Sequence, residues 1–222
     1  MTRHFQNEIE KLKTKILHLA AMVEEALQSA VKAITERDLA MAESVINNDS
    51  SVDALEIEVE EDCLKILALH QPVAADLRYV VAAMKINNDL ERIADLAVNI
   101  AERTSSIARR GTRAVPFDLF KMLDLTRSMV RNSVDALVSS DAEVANQVCE
   151  DDDAIDLRHK EAYRVILEQL AVNPGDADYL MSLLSVSRNL ERIADHATNI
   201  AEDVIYMIDG EIVRHSGGGA IR

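Results

Sequence analysis

Acidic side chains recur in pairs four residues apart, and this spacing places both carboxylates of a pair on one face of a helix. The two halves of the chain carry two such pairs each, and no cysteine lies within the pairs. The eight residues are Asp49, Asp53, Glu91 and Asp95 in the first half and Asp152, Asp156, Glu191 and Asp195 in the second. Clustered oxygen ligands without thiolates suit hard or borderline cations. The pattern therefore predicts acidic metal sites.

An internal repeat determines where these pairs lie in the chain. Residues 90–102 read LERIADLAVNIAE and residues 190–202 read LERIADHATNIAE, so eleven of thirteen positions are identical at an offset of 100. Farther upstream the offset is 103, and the difference of three residues falls near Pro72 and Pro174, where a turn absorbs it. A repeat whose length varies only at a turn predicts a duplicated fold.

Both copies follow the helical period, and few residues interrupt it. Gly and Pro together number 9 of 222, and residues 1–71 contain neither, which argues against an all-β chain with regular turns. The predicted helices span residues 5–35, 38–70, 72–111, 117–139, 141–171 and 174–209.

Capping residues set the predicted helix ends. Asp38 is expected to cap the second helix, and Pro72 is expected in the first turn of the third. Arg109 to Gly111 has the cations and the glycine that end a helix. In the second copy, Asn173-Pro174 starts the last helix and Gly210 ends it.

Three amphipathic helices bury their apolar stripes most simply against one another. We therefore predict an all-α fold of two tandem three-helix bundles related by internal duplication, residues 1–112 and residues 113–222. The link is expected at residues 111–116, and the tail around residues 217–219 is expected to be disordered. A single six-helix body is the alternative.

Hairpin geometry predicts that the acidic pairs meet. If the second and third helices are antiparallel about Pro72, residues equally far from that turn lie at one level. Asp53 and Glu91 are each 19 residues from it, and Asp49 and Asp95 are each 23. The second copy has the same symmetry about the Asn173-Pro174 step. Each copy is thus expected to hold four carboxylates at one height.

Four neighbouring anions are costly. Two unit charges ~6 Å apart repel by roughly 3 kcal/mol at an effective dielectric of ~20. Protonation, arginine partners or a bound cation relieve this repulsion. The candidate cations are Mg²⁺, Mn²⁺, Fe and Zn²⁺, although the lack of a cysteine ligand set argues against a closed structural zinc site. The alternative is a solvated acidic helix face with Arg92 as a local partner.

Composition limits the other partners. The net charge of −15 repels nucleic-acid phosphates and anionic membrane surfaces. No signal peptide or apolar membrane span is recognisable, and Cys63 and Cys149 fit reduced thiols in a cytosolic protein. We therefore expect a cytoplasmic protein without nucleic-acid binding or membrane insertion.

Three segments carry a resemblance to a known family: residues 71–78, QPVAADLR; residues 89–95, DLERIAD; and residues 190–202. They resemble the PhoU family of phosphate-transport accessory regulators, and the resemblance extends over nearly the whole chain. It implies two three-helix bundles with metal clusters at the Glu/Asp-x-x-x-Asp motifs. These motifs match Glu91, Asp95, Glu191 and Asp195 here, and the companion motif matches Asp49, Asp53, Asp152 and Asp156.

The chain departs from the family pattern at two positions. Ala94 and Ala194 stand where family members often have glycine, and alanine favours a helix. Leu96 stands opposite His196 in the repeat, so the two sites are expected to differ in metal content.

The resemblance also implies a function. PhoU-like proteins are cytoplasmic adaptors and homodimers that connect the ATPase subunit of a phosphate ABC transporter with a phosphate-sensing histidine kinase. They keep phosphate-starvation genes off when phosphate is plentiful. The same resemblance implies no enzyme activity and no catalytic residue.

An enzyme remains the competing interpretation. A di-iron carboxylate oxidoreductase or metal store needs two Glu-x-x-His motifs in a helical bundle. Only Asp156 and His159 approach that spacing, and the first copy has Glu56 at the corresponding position.

Overall fold

The computed structural model describes residues 3–109 and 114–210, and every regular element within these ranges is helical. The predicted stop at Gly111, the link's first residues and the predicted disorder of the tail lie outside the described residues. The helices are α1 (Arg3–Glu36), α2 (Leu39–His70), α3 (Ala74–Glu102), α4 (Thr104–Ala108), α5 (Leu119–Ser139), α6 (Ala142–Val172) and α7 (Ala177–Asp209), with a 3₁₀ turn at Pro174–Asp176 before α7.

Aspartate caps begin the second helix of both copies. Asp38 Oδ1 accepts a hydrogen bond from the backbone N–H of Met41 at 3.0 Å. Asp141, at the equivalent position, accepts from the N–H groups of Glu143 and Val144. These bonds satisfy donors that have no partner within the helix. The prediction of Asp38 as a cap is confirmed, as is the end of α7 at Gly210, where φ is 76°.

The prediction for Pro72 is wrong. Helix α3 begins at Ala74, with Val73 in an extended conformation as its N-cap. The residue before a proline is disfavoured in the right-handed helical region, and Gln71 takes a left-handed conformation with φ 45°. Pro72 therefore belongs to the turn. Pro174, in contrast, does occupy the first turn of a helix, although that helix is the short 3₁₀ turn.

The third helix is also shorter than predicted, because it ends at Glu102 and α4 follows. At the break, the backbone N–H of Arg103 reaches the carbonyl of Ile100 at 3.0 Å, a bond that tightens the last turn. Thr104, the first residue of α4, is fully buried directly after this break. The local helical pattern gave no sign of it.

Each copy forms a three-helix bundle. Helices α1, α2 and α3 pack against one another in the first copy, and α5, α6 and α7 do so in the second. The apolar stripe of α3 is buried and consists of Leu90, Ile93, Ala97, Ile100 and Ala101. This confirms the all-α fold of duplicated bundles.

The two bundles also pack against each other through α3 and α7 and through α1 and α5. Lys85 Nζ lies 3.0 Å from Asp203 Oδ1, and Arg78 Nε donates to the carbonyl of Met207 at 3.0 Å. Residue numbers rise along α3 as they fall along α7, so these helices are antiparallel. The predicted domain boundary between residues 112 and 113 lies outside the described residues.

No helix within residues 3–109 and 114–210 combines the length and the apolar composition that crossing a bilayer requires.

Candidate functional site

Asp49, Asp53, Glu91 and Asp95, which we call the first quartet, influence one another across the α2–α3 hairpin. Burial raises the pKa of Asp49, and the charges of Asp53 and Asp95 raise it further. Burial likewise raises the pKa of Glu91, with added repulsion from Asp95 and Asp53. Because the short turn at residues 71–73 holds the helices antiparallel, the carboxylates lie near one another, as the register predicts.

Asp152, Asp156, Glu191 and Asp195, the second quartet, repeat this arrangement on α6 and α7. Burial raises the pKa of Asp152 to about 6, and the next largest causes are the charges of Asp195 and Asp156. The pKa of Glu191 is raised by burial and then by Asp156, and that of Asp195 by burial and then by Glu191. The carboxylates of α6 and α7 therefore repel one another across the second hairpin, as the register predicts.

Among the described residues, one exposed cationic side chain forms close ion pairs in each quartet. Arg92 Nε lies 3.4 Å from Glu91 Oε2, and its Nη1 lies 3.3 Å from Asp95 Oδ2. Lys160 Nζ lies 3.0 Å from Asp156 Oδ2 in the second quartet. Exposed ion pairs of this kind contribute ~0.2–1 kcal/mol. Pairs this weak leave most of the repulsion among four carboxylates in place, although the charges of Arg188 and Arg192 also lower the pKa of Glu191.

The carboxylate oxygens of the quartets are ligands of the type that a hard cation binds, and they lie on neighbouring helices. Glu91 Oε2 is a buried oxygen whose contact with Arg92 Nε, at 3.4 Å, is an ion pair without hydrogen-bond geometry, so a further partner for this oxygen would be favourable. However, no group of three or more His, Cys, Asp or Glu side chains in residues 3–109 and 114–210 converges as a ligand set. Ligation therefore requires the carboxylates to turn toward one another, and the metal sites stay a prediction.

A second polar pair crosses each hairpin close to the quartet, and the sequence analysis missed it. Asn87 Nδ2 donates to Glu56 Oε1 and to the Glu56 carbonyl, both at 2.9 Å. The equivalent positions hold His159 and Ser187, whose Nδ1 and Oγ atoms are 2.9 Å apart. The register that aligns the quartets aligns these residues within one position, so the same counting would have found them.

His196 lies at the contact between the copies. Its Nδ1 is 2.8 Å from Asp89 Oδ1 on α3, and both side chains are largely buried. Its charge when protonated also lowers the pKa of the neighbouring Asp195. Leu96, the equivalent residue, is buried in the apolar core. The difference between Leu96 and His196 in the repeated motif therefore contributes a hydrogen bond between the bundles.

The chain is similar to known proteins over most of its length. The family model described as the PhoU domain matches residues 16–104 and again residues 119–204. A phosphate-specific transport system accessory protein PhoU homolog of Pseudomonas putida is 35% identical over 98% of this chain and 85% of its own length. One of Aquifex aeolicus is 36% identical over 94% of both.

Two solved structures have the same fold. The crystal structure of PhoU from Pseudomonas aeruginosa has a TM-score of 0.88 and 32% identity, covering 93% of this chain and 100% of that one. The phosphate transport system regulatory protein PhoU of Streptococcus pneumoniae has a TM-score of 0.84 and 28% identity, covering 94% and 99%. These relatives are named as accessory or regulatory proteins. With both copies matched and the whole fold shared, the chain belongs to the PhoU family.

Proposed function

We propose that this protein is an accessory regulator of phosphate uptake. The observation that carries the proposal is the extent of the similarity to phosphate-specific transport system accessory proteins. The Aquifex aeolicus relative aligns over 94% of both chains, so the similarity extends over both bundles and not over one alone. Relatives that share complete architecture at this identity are expected to share a general role.

In its finer form, the proposal is a cytoplasmic adaptor that acts as a negative regulator. It links the ATPase subunit of a phosphate ABC transporter to a phosphate-sensing histidine kinase, and it acts as a homodimer. An acidic, fully helical surface and the lack of a nucleophile elbow, P-loop or Gly-rich dinucleotide turn in the sequence support binding over catalysis.

We also propose that each quartet binds a divalent or transition cation, Mg²⁺, Mn²⁺, Fe or Zn²⁺. The raised pKa values of Asp49 and Glu91, and of Asp152 in the second quartet, support this, because they reflect the cost of keeping these carboxylates ionised together. A bound cation would supply the positive charge that offsets this cost. The cation would also connect the two helices of each hairpin through their carboxylates.

Complementation tests the regulatory proposal. The full chain is expressed in a host whose own family member is deleted, and a phosphate-starvation gene is followed with a reporter in phosphate-rich medium. We expect wild-type protein to restore repression. A chain that is folded by circular dichroism and expressed at the host level, yet leaves the reporter fully active, would contradict the proposal. Affinity capture of the transporter ATPase or the kinase from native extracts tests the adaptor form, and recovery of neither would contradict it.

The structure gives no support to the di-iron alternative. His159, the one histidine at a suitable spacing from a quartet acid, bonds to the Ser187 hydroxyl, and the first copy has Glu56 in its place. We therefore propose no redox activity. Steady oxidation of a reductant by iron-loaded protein would overturn this.

A further inference from the structure

Four large, exposed aliphatic side chains lie along one face of α2, with Ser50 and Asp53 between the second and the third of them. Leu39, Ile46, Ile57 and Leu64, which we call the α2 stripe, are 54%, 39%, 53% and 51% exposed. They are separated by 7, 11 and 7 residues. At 100° per residue these steps return to within about 20° of one direction, so the four side chains form one line. Single exposed aliphatic residues are common, but an aligned set of this kind marks an interaction surface.

Carboxylates border the α2 stripe. Glu43, Glu60 and Glu61 are exposed and lie within about 60° of the line on either side. The described residues provide no ion pair for any of the three, and α2 as a whole has eight carboxylates against one lysine, Lys65. The surface therefore combines an apolar line with a negative border.

The second copy lacks this surface. The positions of α6 equivalent to the stripe hold Ala142, Cys149, Lys160 and Leu167. Only Leu167 among them is a large exposed aliphatic residue, and Lys160 places a positive charge where the first copy has the neutral Ile57. The second copy still forms a three-helix bundle of α5, α6 and α7, so the packing of such a bundle does not require the α2 stripe.

We propose that the α2 stripe is the docking site for a basic amphipathic helical segment of another protein. Such a segment places its aliphatic side chains on Leu39, Ile46, Ile57 and Leu64 and its lysines or arginines against the bordering glutamates. The bordering glutamates favour a basic segment, because complementary charges speed the encounter of two proteins and fix how the segment lies along the helix.

The same negative charges disfavour the two other partners that the α2 stripe could contact, a second copy of the chain and a lipid surface. A second copy of the chain would bring another net charge of −15 and the same row of glutamates against the first. An anionic lipid surface would be repelled in the same way, since interfacial helices usually present Lys and Arg beside their apolar face. The proposal rests on the regulatory function only in that a regulator must contact other components.

A peptide-binding measurement tests the proposal without reference to phosphate. The probe is a labelled 18-residue helical peptide with leucines along one face and lysines along its borders, titrated with the full chain by fluorescence anisotropy at physiological salt. We expect saturable binding, and Ile46→Ser with Ile57→Ser should weaken it about tenfold or more, since two apolar contacts are lost. The matched control, Leu157→Ser with Leu167→Ser on exposed positions of α6, should change it less than about twofold.

Further measurements distinguish the proposed docking from unspecific attraction, dimerisation and membrane binding. A variant with Glu43, Glu60 and Glu61 changed to Lys should also weaken binding and reduce its salt dependence, which keeps the test decisive if the serine variant misfolds. Equal binding of a peptide with serines in place of its leucines would overturn the proposal, because it would mean unspecific attraction. Dimerisation in sedimentation, or binding to phosphatidylethanolamine–phosphatidylglycerol vesicles, would also overturn it if the serine variant abolished either.

Because this readout does not involve phosphate, its failure leaves the complementation result standing, and failed complementation leaves peptide binding standing.

Discussion

The two quartets occupy equivalent positions in the two copies, but their surroundings differ. In the first, Arg92 contacts Glu91 and Asp95, and Glu56 adds a fifth acid whose charge acts on Glu91. In the second, His159 replaces Glu56, Lys160 pairs with Asp156, and the pKa of Asp152 is raised to about 6.

This comparison separates what the backbone determines from what individual residues adjust. The position of the turn in each hairpin decides which residues of the two helices face each other, and both copies keep that register. The positive charges near the quartets belong to individual side chains, which can be substituted without moving a helix. Duplication has therefore preserved the carboxylate pairing while the electrostatic environment diverged.

The largest expected effect concerns the core, where the copies should behave alike. Ile93 and Ile193 are fully buried at equivalent positions of α3 and α7. Replacing either by Ala should lower the free energy of unfolding by about 2–5 kcal/mol, because the change leaves a cavity. Urea denaturation measures this. A cost below about 1 kcal/mol at one position alone would show that the bundles are packed to different quality.

The contact between the copies should give the next largest effect. His196→Leu reproduces the first copy's residue at this position and removes the hydrogen bond to Asp89, which stays largely buried. We expect a loss of about 1–2 kcal/mol in the free energy of unfolding at pH 7, since a buried acceptor is left unmatched. Asp89→Asn in the same background should recover part of it. No loss in the single variant would mean that the pair contributes nothing to docking of the bundles.

A smaller effect, of opposite sign, is expected within the second quartet. An acid whose pKa is raised on folding holds its proton more tightly in the folded state, so stability is lost as pH rises from about 4 to about 6. In metal-free protein, Asp152→Asn should therefore raise the free energy of unfolding by about 1 kcal/mol at pH 8, after allowance for solvent screening, and by little at pH 4.

Asp49→Asn is the matched variant in the first quartet. Burial and the charges of Asp53 and Asp95 raise the pKa of Asp49 as well, so the change should also stabilise the metal-free protein, and by less. Melting temperatures across pH 4 to 8 compare the two. A destabilising effect of either variant at pH 8 would mean that the carboxylate makes a favourable contact in place of the repulsion described.

The sequence was sufficient for the helices and for the register of the quartets, because both follow from a local period and from the position of one turn. It was insufficient at Pro72, where the geometry of the turn overrides the helical pattern, and at the break after Glu102, for which the local pattern carries no signal. It also gave no access to the His196–Asp89 bond, because that contact depends on how one bundle lies on the other. Glu56 with Asn87 was accessible to the same counting and was overlooked.

Metal content tests the central claim most directly. The full chain is purified without chelator, incubated in turn with Mg²⁺, Mn²⁺, Fe²⁺ and Zn²⁺, desalted and measured by elemental analysis. The matched control is the variant Glu91→Gln, Asp95→Asn, Glu191→Gln and Asp195→Asn, which keeps side-chain size and is checked for helix content. The account predicts that wild-type protein retains at least one of these metals and that the control loses it. Wild-type protein free of all four, or a folded control with unchanged metal content, would contradict the proposal that the quartets bind a cation.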